Sequence, residues 1–246
     1  MGPEEIDPSF TALPYRQMAQ AALARAQAAG VSHADFRFER VRYQHFSVRD
    51  GNLQGAEDTE DLGFAVRVVH RGAWGFAAGV LLTPDAAAAA VDTAIDVARV
   101  AAAMTREPVE LAEEPVYDDA GWVSSYDVNP LAVPLQEKTA LFTGWTRRLL
   151  EADGVDHAAG SLQQVQENKF YADLHGTTTT QQRIRLEPYL EVFGTDPRSG
   201  HFDSMRTIAP PAGRGWEYLL GGHFDFESEL AELPALLREK LAAPSV

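Results

Sequence analysis

The histidines are the side chains of this protein best suited to binding a metal ion. A zinc site on one helix needs two imidazoles about three to five residues apart, because both must project from the same helix face. No two histidines of this chain have that spacing, so a helix-borne metal site is not expected. The histidines are His33, His45, His70, His157, His175, His201 and His223.

The best local pair of metal ligands is His223 and Asp225, in the segment GGHFDFE. In a strand, both side chains would point to the same side, because successive side chains alternate. Two ligands do not make a metal site. We therefore favour a polar loop at the start of a helix over a metal-binding role.

The segment Ser199-Gly200-His201-Phe202-Asp203 contains the three residue types of a hydrolytic triad. Triads are assembled from distant positions, and neighbouring residues rarely converge in the required geometry. The sequence has neither a GxSxG elbow nor a Ser-x-x-Lys motif. A solvated loop is the favoured interpretation. An unrecognised small active site made of Asp203, His223 and Asp225 is the enzymatic alternative.

The remaining candidate motifs are weak. Paired carboxylates support acid/base chemistry only where burial or a like charge raises one pKa. The glycine pairs at 213–215 and 221–222 lack the lysine and the spacing of a phosphate-binding loop. The absence of cysteine excludes disulfides, thiolate nucleophiles and cysteine zinc ligands in this chain. We predict no catalytic, cofactor-binding or metal-binding residue. The carboxylate pairs lie at 57–58, 60–61, 113–114 and 118–119.

Composition limits the partners of this chain of 246 residues, which is long enough for one large domain or two modest ones. Its 21 basic and 36 acidic side chains give a net charge of −15, which argues against nucleic-acid binding. A hydrophobic content of 45% supports a packed core. The N-terminus MGPEEIDPSF lacks the features of a signal peptide, and no apolar run is long enough to span a membrane. We expect a cytoplasmic protein without membrane contact.

Hydrophobic periodicity predicts alternating helices and strands in the first half of the chain. Asp50-Gly51 and Arg71-Gly72 predict tight turns between strands. Thr83 before Pro84 predicts a capped helix start. The predicted elements are a helix over 16–29, strands around 36–38, 46–48, 64–68 and 74–76, and a helix from 84 to about 104.

The second half follows a polar, proline-containing connector. Its long strand includes Pro188 on the apolar face, which predicts an edge strand or a bulge there. Pro234 predicts an interruption of the last helix. The predicted elements are a helix over 135–152, strands around 170–174 and 184–192, a loop over 194–215 and a helix over 225–241.

These elements predict an α+β fold. We expect an antiparallel sheet packed by two helices, followed by a β-rich second domain with flanking helices. The predicted organisation is a first domain over 1–110, a linker over 111–134 and a second domain over 135–246. Tyr43, Trp74 and Phe76 form either an aromatic surface patch or part of the core, and their strand spacing favours the core.

The order of motifs over residues 33–99 resembles the N-terminal domain of the TldD/PmbA family, also called modulators of DNA gyrase. The strand ADFRF is followed by a second strand that ends in RDG, and GFAVRVVHRGAWGFAAG is similar to the family's glycine-rich hairpin. A Leu-Thr-Pro turn then introduces an alanine-rich helix that ends at Val97-Ala98-Arg99. The resemblance extends to the β-rich stretch 155–194 and to Gly213–Tyr218, and it favours the TldD branch.

The resemblance implies a zinc metallopeptidase that cleaves unfolded or extended peptides and pairs with a TldE/PmbA-like subunit lacking the metal site. The family's zinc ligands lie in an H-E-x-x-x-H helix and at a later cysteine, in the C-terminal half. This sequence contains neither feature. No family site residue can therefore be assigned to a position of this chain, which we predict to be inactive alone.

The leading hypothesis is that these residues are the N-terminal scaffold and substrate-chamber part of a TldD-like peptidase. Exposed strand edges would bind an extended peptide. The partner would be a TldE/PmbA-like subunit or a second copy of this chain, and zinc would belong to the full-length protein rather than to this segment. The alternative is a complete, non-catalytic binding or assembly protein, similar to the TldE/PmbA partner.

Overall fold

The structure, a computed structural model, describes residues 5–243. One sheet of seven strands forms its centre, in the order β3-β2-β1-β5-β6-β4, and β7 pairs with β6 beside β4. Every strand pair is antiparallel except β4 with β6. The strands are β1 (His33–Arg49), β2 (Asn52–His70), β3 (Ala73–Gly79), β4 (Ala120–Val123), β5 (His157–Asp173), β6 (Thr178–Thr195) and β7 (Phe202–Arg206).

Helices cover one face of this sheet. Two short 3-10 helices, Pro130–Ala132 and Trp216–Leu220, lie in the connections. The predicted α+β class is confirmed. None of the helices in residues 5–243 is both long and apolar enough to cross a membrane. The α-helices are α1 (Pro8–Thr11), α2 (Tyr15–Ala28), α3 (Pro84–Ala102), α4 (Leu135–Leu150) and α5 (Phe226–Ala242).

Two long hairpins dominate the sheet. The turn between β1 and β2 has Asp50 at φ 50° and Gly51 at φ 74°, the left-handed pair of a tight hairpin turn. The second hairpin joins β5 to β6, and β5 pairs with β1 from Asp35↔Asp173 to Arg49↔Ala159. The sheet is therefore continuous between residues on either side of the predicted linker. The domain division at 111–134 stays a prediction.

The strands of the first hairpin are longer than the periodicity predicts. Residues 36–38 and 46–48 belong to the single strand β1, which corrects the prediction of two strands. Strand β2 already begins at Asn52, whereas the apolar pattern begins near Phe64. Side chains 52–61 are exposed on both sides of the strand, so no apolar alternation marks this part.

Two apolar clusters occupy the helix-covered face. Phe36 and Phe38 of β1 pack with α2 and α3, while Phe46 and Val48 pack with α4 and α5. All four residues are even-numbered, so they lie on the same face of the strand. The two clusters thus sit side by side along the long strands, separated by polar residues in the middle.

The close packing of α3 on β3 explains its many alanines. Thr83 accepts a hydrogen bond from the Ala86 amide, which confirms the predicted helix start. A Cβ atom on Gly75 of β3 would lie 1.8 Å from the Ala94 carbonyl oxygen of α3. Only small side chains at the contact allow the helix and the strand to lie so close together.

Two predictions for the C-terminal part are wrong. Helix α5 runs through Pro234 without interruption. Its apolar face, which includes Leu230 and Leu237, is buried in the core, and this burial outweighs the one lost hydrogen bond. The segment predicted as a loop over 194–215 contains β7, a half-buried strand whose sequence FDSMR carries no apolar alternation.

The sheet accommodates Pro188 at a local edge. Pro188 pairs with Leu162 in regular register, without a bulge. On the other side of β6, β4 pairs with residues 179–182 and β7 with residues 191–195, and no described strand lies between them. A residue at position 188 therefore has no strand to which it could donate a hydrogen bond on that side, so a proline is tolerated, which agrees with the predicted edge.

Candidate functional site

The outer edge of β2 is the longest free strand edge in the part of the chain that the structure describes. Strand β3 covers β2 only from Phe64 to His70, which leaves residues 52–62 without a strand partner on that side. The Ser32 amide donates to the Val69 carbonyl, so the backbone groups of odd-numbered residues face β1. By alternation those of Asp58 and Glu60 face outward. This edge can accept an additional strand.

The free edge is acidic and ends in a groove. Asp58 accepts a hydrogen bond from the Gln44 side chain, and Glu60 lies 3.8 Å from Arg42. Glu57 and Asp61 form no ion pair within the described residues. Where β3 leaves β2, a groove of about 690 Å³ opens beside Gly63. A strand bound here would meet several carboxylates along its length.

A buried carboxylate organises the corner of the open sheet face. Asp35 is fully buried, and Arg67 contacts its carboxylate through Nε at 2.9 Å and Nη2 at 2.8 Å. Arg37 donates to the other oxygen over 3.0 Å. Burial alone would raise the pKa of Asp35, but His33 and the two arginines lower it. The charged carboxylate holds both guanidinium groups in place and is no candidate for a general acid.

A chain of buried hydrogen bonds crosses the helix-covered face between the two apolar clusters. Arg40 donates to Asn168 over 2.9 Å, Asn168 donates to Gln182 over 2.8 Å, and Gln182 donates to Tyr126 over 2.8 Å. Burial raises the pKa of Tyr126. These side chains are closed off from solvent, so they fix the register of the strands rather than meet a substrate.

Lys138 of α4 is also buried in this polar region, with 1% of its surface exposed. Its ammonium group donates to Gln44 over 2.7 Å and forms no ion pair within residues 5–243. Burial lowers the pKa of Lys138 to about 8, although the nearby Asp58 opposes the shift. A buried amine of this kind costs stability when it is charged.

The structure does not assemble a triad from the segment 199–203. The Ser199 hydroxyl donates to Asp196 over 2.5 Å and does not contact the His201 ring. His201 Nε2 lies 3.7 Å from Asp203, whose carboxylate accepts a hydrogen bond from Lys240 over 2.8 Å. Asp203 belongs to β7 rather than to a loop. This carboxylate is engaged in an exposed ion pair.

The pair His223 and Asp225 lies before α5, as the loop interpretation predicts. Asp225 caps the helix by accepting from the Ser228 amide over 3.0 Å and from its hydroxyl over 2.8 Å. Asp203 lies on β7 and pairs with Lys240 near the other end of α5. The alternative site of Asp203, His223 and Asp225 is therefore not formed.

The described residues do not fit a metal ion. In residues 5–243 no three side chains of histidine, aspartate or glutamate come together as a possible metal site. The nearest pair of imidazoles is His33 and His175, whose rings stack at 5.5 Å. The carboxylate beside them, Asp35, is already bound by Arg37 and Arg67.

The aromatic residues predicted to lie in the core are partly on the surface. Phe76 is 55% exposed and Trp74 is 37% exposed, while Tyr43 is half-buried. All three residues lie in strands, as their spacing predicts, but they lie on the sheet face that no helix covers. Trp74 instead stacks under the Arg67 guanidinium, which lies 5.0 Å from the ring centroid.

The free edge of β2 was not predicted from the amino-acid sequence. The missing signal was a comparison of strand lengths, because a strand of 19 residues beside one of 7 must leave an edge uncovered. The exposed sequence NLQGAEDTED gave no strand periodicity from which that length could be measured.

The family model described as PmbA/TldA metallopeptidase domain 1 matches residues 34–98. These residues carry both strands of the first hairpin, β3 and most of α3. Over residues 34–98 the chain is similar to the first domain of the PmbA/TldD family. The predicted resemblance to the TldD/PmbA family is thereby confirmed. The free edge of β2 lies within the matched residues.

Solved structures of two proteins called modulators of DNA gyrase have a similar fold. The one from Bacteroides thetaiotaomicron VPI-5482 has a TM-score of 0.71 at 12% identity, over 94% of this chain and 51% of its own. The one from Thermotoga maritima MSB8 has a TM-score of 0.72 at 12% identity, over 94% of this chain and 50% of its own.

TldE from Thermococcus kodakarensis is also similar, with a TM-score of 0.55 at 16% identity, over 90% of this chain and 47% of its own. This chain therefore spans about half the length of the solved structures it matches. No curated protein matches the chain.

Proposed function

We propose that this chain is the N-terminal scaffold part of a TldD-like metallopeptidase and shapes its substrate chamber. The free edge of β2 binds an extended peptide, and the residues that cleave the peptide bond lie elsewhere in the assembly. The observation that carries the proposal is the uncovered edge over residues 52–62, within the matched PmbA/TldD domain.

The unpaired backbone of β2 supports recognition of an unfolded peptide. Each outward N–H and C=O group of β2 can bond to a main-chain group of the peptide, and this pairing requires no particular side chain. Most folded proteins protect their strand edges, whereas an unfolded peptide can always supply a strand. The site therefore selects extended chains over folded ones.

The charge of the edge supports a preference for basic peptides. Glu57, Asp58, Glu60 and Asp61 follow one another along the free edge, and the whole chain carries a net charge of −15. Opposite charges on paired strands stabilise the pairing, and like charges weaken it. We expect a lysine-containing peptide to bind more tightly than a glutamate-containing peptide of equal length.

The proposed assembly joins this chain to a TldE/PmbA-like subunit or to a second copy of itself, in the cytoplasm. Zinc belongs to the complete peptidase in this proposal, since the described residues do not bring a donor set together. A metal ion in a peptidase polarises the scissile carbonyl and activates water.

Peptide binding to the β2 edge is tested by fluorescence anisotropy with a labelled, unstructured peptide of about twelve residues that contains lysines. Glu60→Pro removes an outward N–H group, whereas the control Glu60→Gln removes only the charge. We expect Glu60→Pro to weaken binding at least five-fold relative to Glu60→Gln, with unchanged circular dichroism. Equal binding by the two variants would contradict the proposal.

The alternative function is a non-catalytic binding or assembly protein like the TldE/PmbA partner, which is favoured by the lack of a metal-binding group in residues 5–243. The gene sequence beyond the codon for Val246 separates the two. An H-E-x-x-x-H segment there supports the peptidase scaffold. A stop codon together with no zinc in the purified native protein supports the alternative.

A further inference from the structure

A surface pocket beside β4 collects three arginines. Its volume is about 510 Å³. Its lining includes Arg183 and Arg185 of β6, Trp122 of β4, and Arg214 in the loop before the second 3-10 helix. We call the site lined by these four residues the arginine pocket. Its size is that of a pocket for a small organic ligand.

The arginine pocket is positively charged in a strongly acidic protein. Arg185 pairs with Glu167 over 2.8 Å, and Arg183 lies at 3.9 Å from the same carboxylate. Arg214 forms no ion pair within residues 5–243, and its guanidinium makes only a long contact of 3.4 Å with the Gly213 carbonyl. One carboxylate therefore pairs with two of the three guanidinium groups and none pairs with the third, which leaves unused donors for an anion.

Trp122 adds a flat apolar surface to the pocket. Its indole is 49% exposed, which is unusual for a tryptophan in a strand. The Arg183 guanidinium lies 5.9 Å from the ring centroid, so the ring also helps to position this arginine. A planar part of a ligand would remove the exposed indole surface from water.

The backbone around the pocket excludes a bound peptide strand. The Ile184 amide donates to the Ser124 hydroxyl over 2.9 Å, and Leu186 exchanges two backbone hydrogen bonds with Ala212. The outward backbone N–H groups of Ile184 and Leu186 in β6 are therefore already hydrogen-bonded beside the pocket. The occupant must be recognised by its charge and shape rather than by main-chain pairing.

We propose that the arginine pocket binds a small organic anion, which places its carboxylate or phosphate groups against Arg183, Arg185 and Arg214 and an unsaturated ring against Trp122. This site lies at the β4 edge of the sheet, opposite to the free edge of β2, and does not depend on the proposed peptide binding.

The test is isothermal titration calorimetry of the full chain in about 0.1 M salt with citrate, pyrophosphate and ADP. Citrate represents a carboxylate ligand, and pyrophosphate represents a phosphate ligand. We expect saturable binding of at least one of the two. ADP should bind at least three-fold more tightly than pyrophosphate, and Trp122→Ala should abolish this advantage.

Two matched arginine variants distinguish binding in the arginine pocket from a general effect of the protein's charge. Arg214→Gln should weaken binding at least five-fold. Arg148→Gln is the control, because it also removes one positive charge, but from an exposed ion pair between Arg148 of α4 and Glu227 of α5. It should change the affinity by less than two-fold. The proposal is overturned if none of the three probes saturates, if both variants weaken binding equally, or if ADP gains nothing over pyrophosphate.

Discussion

Arg40 and Asp7 form an ion pair that holds the first described residues against the middle of the sheet. Arg40 Nη2 donates to Asp7 Oδ2 over 2.7 Å, and the arginine is only 4% exposed. Asp7 also caps α1 by accepting from the Ser9 amide over 2.8 Å. One carboxylate thus joins the start of the described chain to the polar residues between the two apolar clusters.

This pair predicts an acid-sensitive contribution to stability. Burial alone raises the pKa of Asp7, but hydrogen bonds from Ser9 and Gln166 and the charge of Arg40 lower it to about 2, from 3.8. Because the pKa is lower in the folded state, the contribution is complete above about pH 4 and is lost as the pH falls toward 2. It amounts to about 2 kcal/mol.

The measurement is urea unfolding of Asp7→Asn at several pH values. The variant should be about 2 kcal/mol less stable than the natural chain at pH 7, and the difference should shrink between pH 4 and pH 2. Asp96→Asn, in an exposed pair with Arg99, is the control and should change stability by less than about 0.5 kcal/mol. A pH-independent difference for Asp7→Asn argues against the ion pair.

Lys138 predicts a second rise of stability with pH, in the alkaline range. Its pKa falls from 10.5 to about 8 on folding, because burial penalises the charged amine. Between about pH 8 and 10.5 the unfolded state binds more protons, so the stability due to this residue rises with pH. The gain is about 3 kcal/mol over that interval.

Replacing the buried amine tests this prediction. Lys138→Met keeps the length of the side chain and removes the titrating group, so the free energy of unfolding should lose the alkaline increase. Lys169→Met serves as the control, since Lys169 is exposed and pairs with Glu39. If the free energy of unfolding changes with pH in the same way for Lys138→Met and for the natural chain, the pKa of Lys138 is not lowered by burial.

The approach of α3 to β3 predicts that Gly75 cannot carry a side chain. A Cβ atom at this position would lie 1.8 Å from the Ala94 carbonyl oxygen, so the helix must move for Gly75→Ala to fold. We expect a loss of about 2 kcal/mol or more, measured by urea unfolding.

The same substitution in α4 is the control. A Cβ atom on Gly144 meets no atom within 4 Å, and alanine favours a helix over glycine. Gly144→Ala should therefore raise stability by about 0.5–1 kcal/mol. A Gly75→Ala variant as stable as the natural chain would contradict the close packing of α3 on β3.

The local elements and the family resemblance can be predicted from the amino-acid sequence alone. Asp50-Gly51 fixed a tight turn because both positions need a left-handed backbone, and Thr83 fixed the start of α3 because its hydroxyl satisfies a free amide. The motif order over residues 33–99 sufficed for the family resemblance. Each of these signals lies within a few neighbouring residues or in their order.

Which surfaces are free, and which distant residues lie together, depends on the tertiary structure. Trp74 and Phe76 have the spacing of core residues, but helices cover only the other face of the sheet. Likewise Arg214 lines the same pocket as Arg183 because the loop before it pairs with β6 at Leu186. Such contacts depend on how distant segments of the chain pack. Strand periodicity predicts that successive side chains point to opposite faces of the sheet, but it does not predict which face the helices cover.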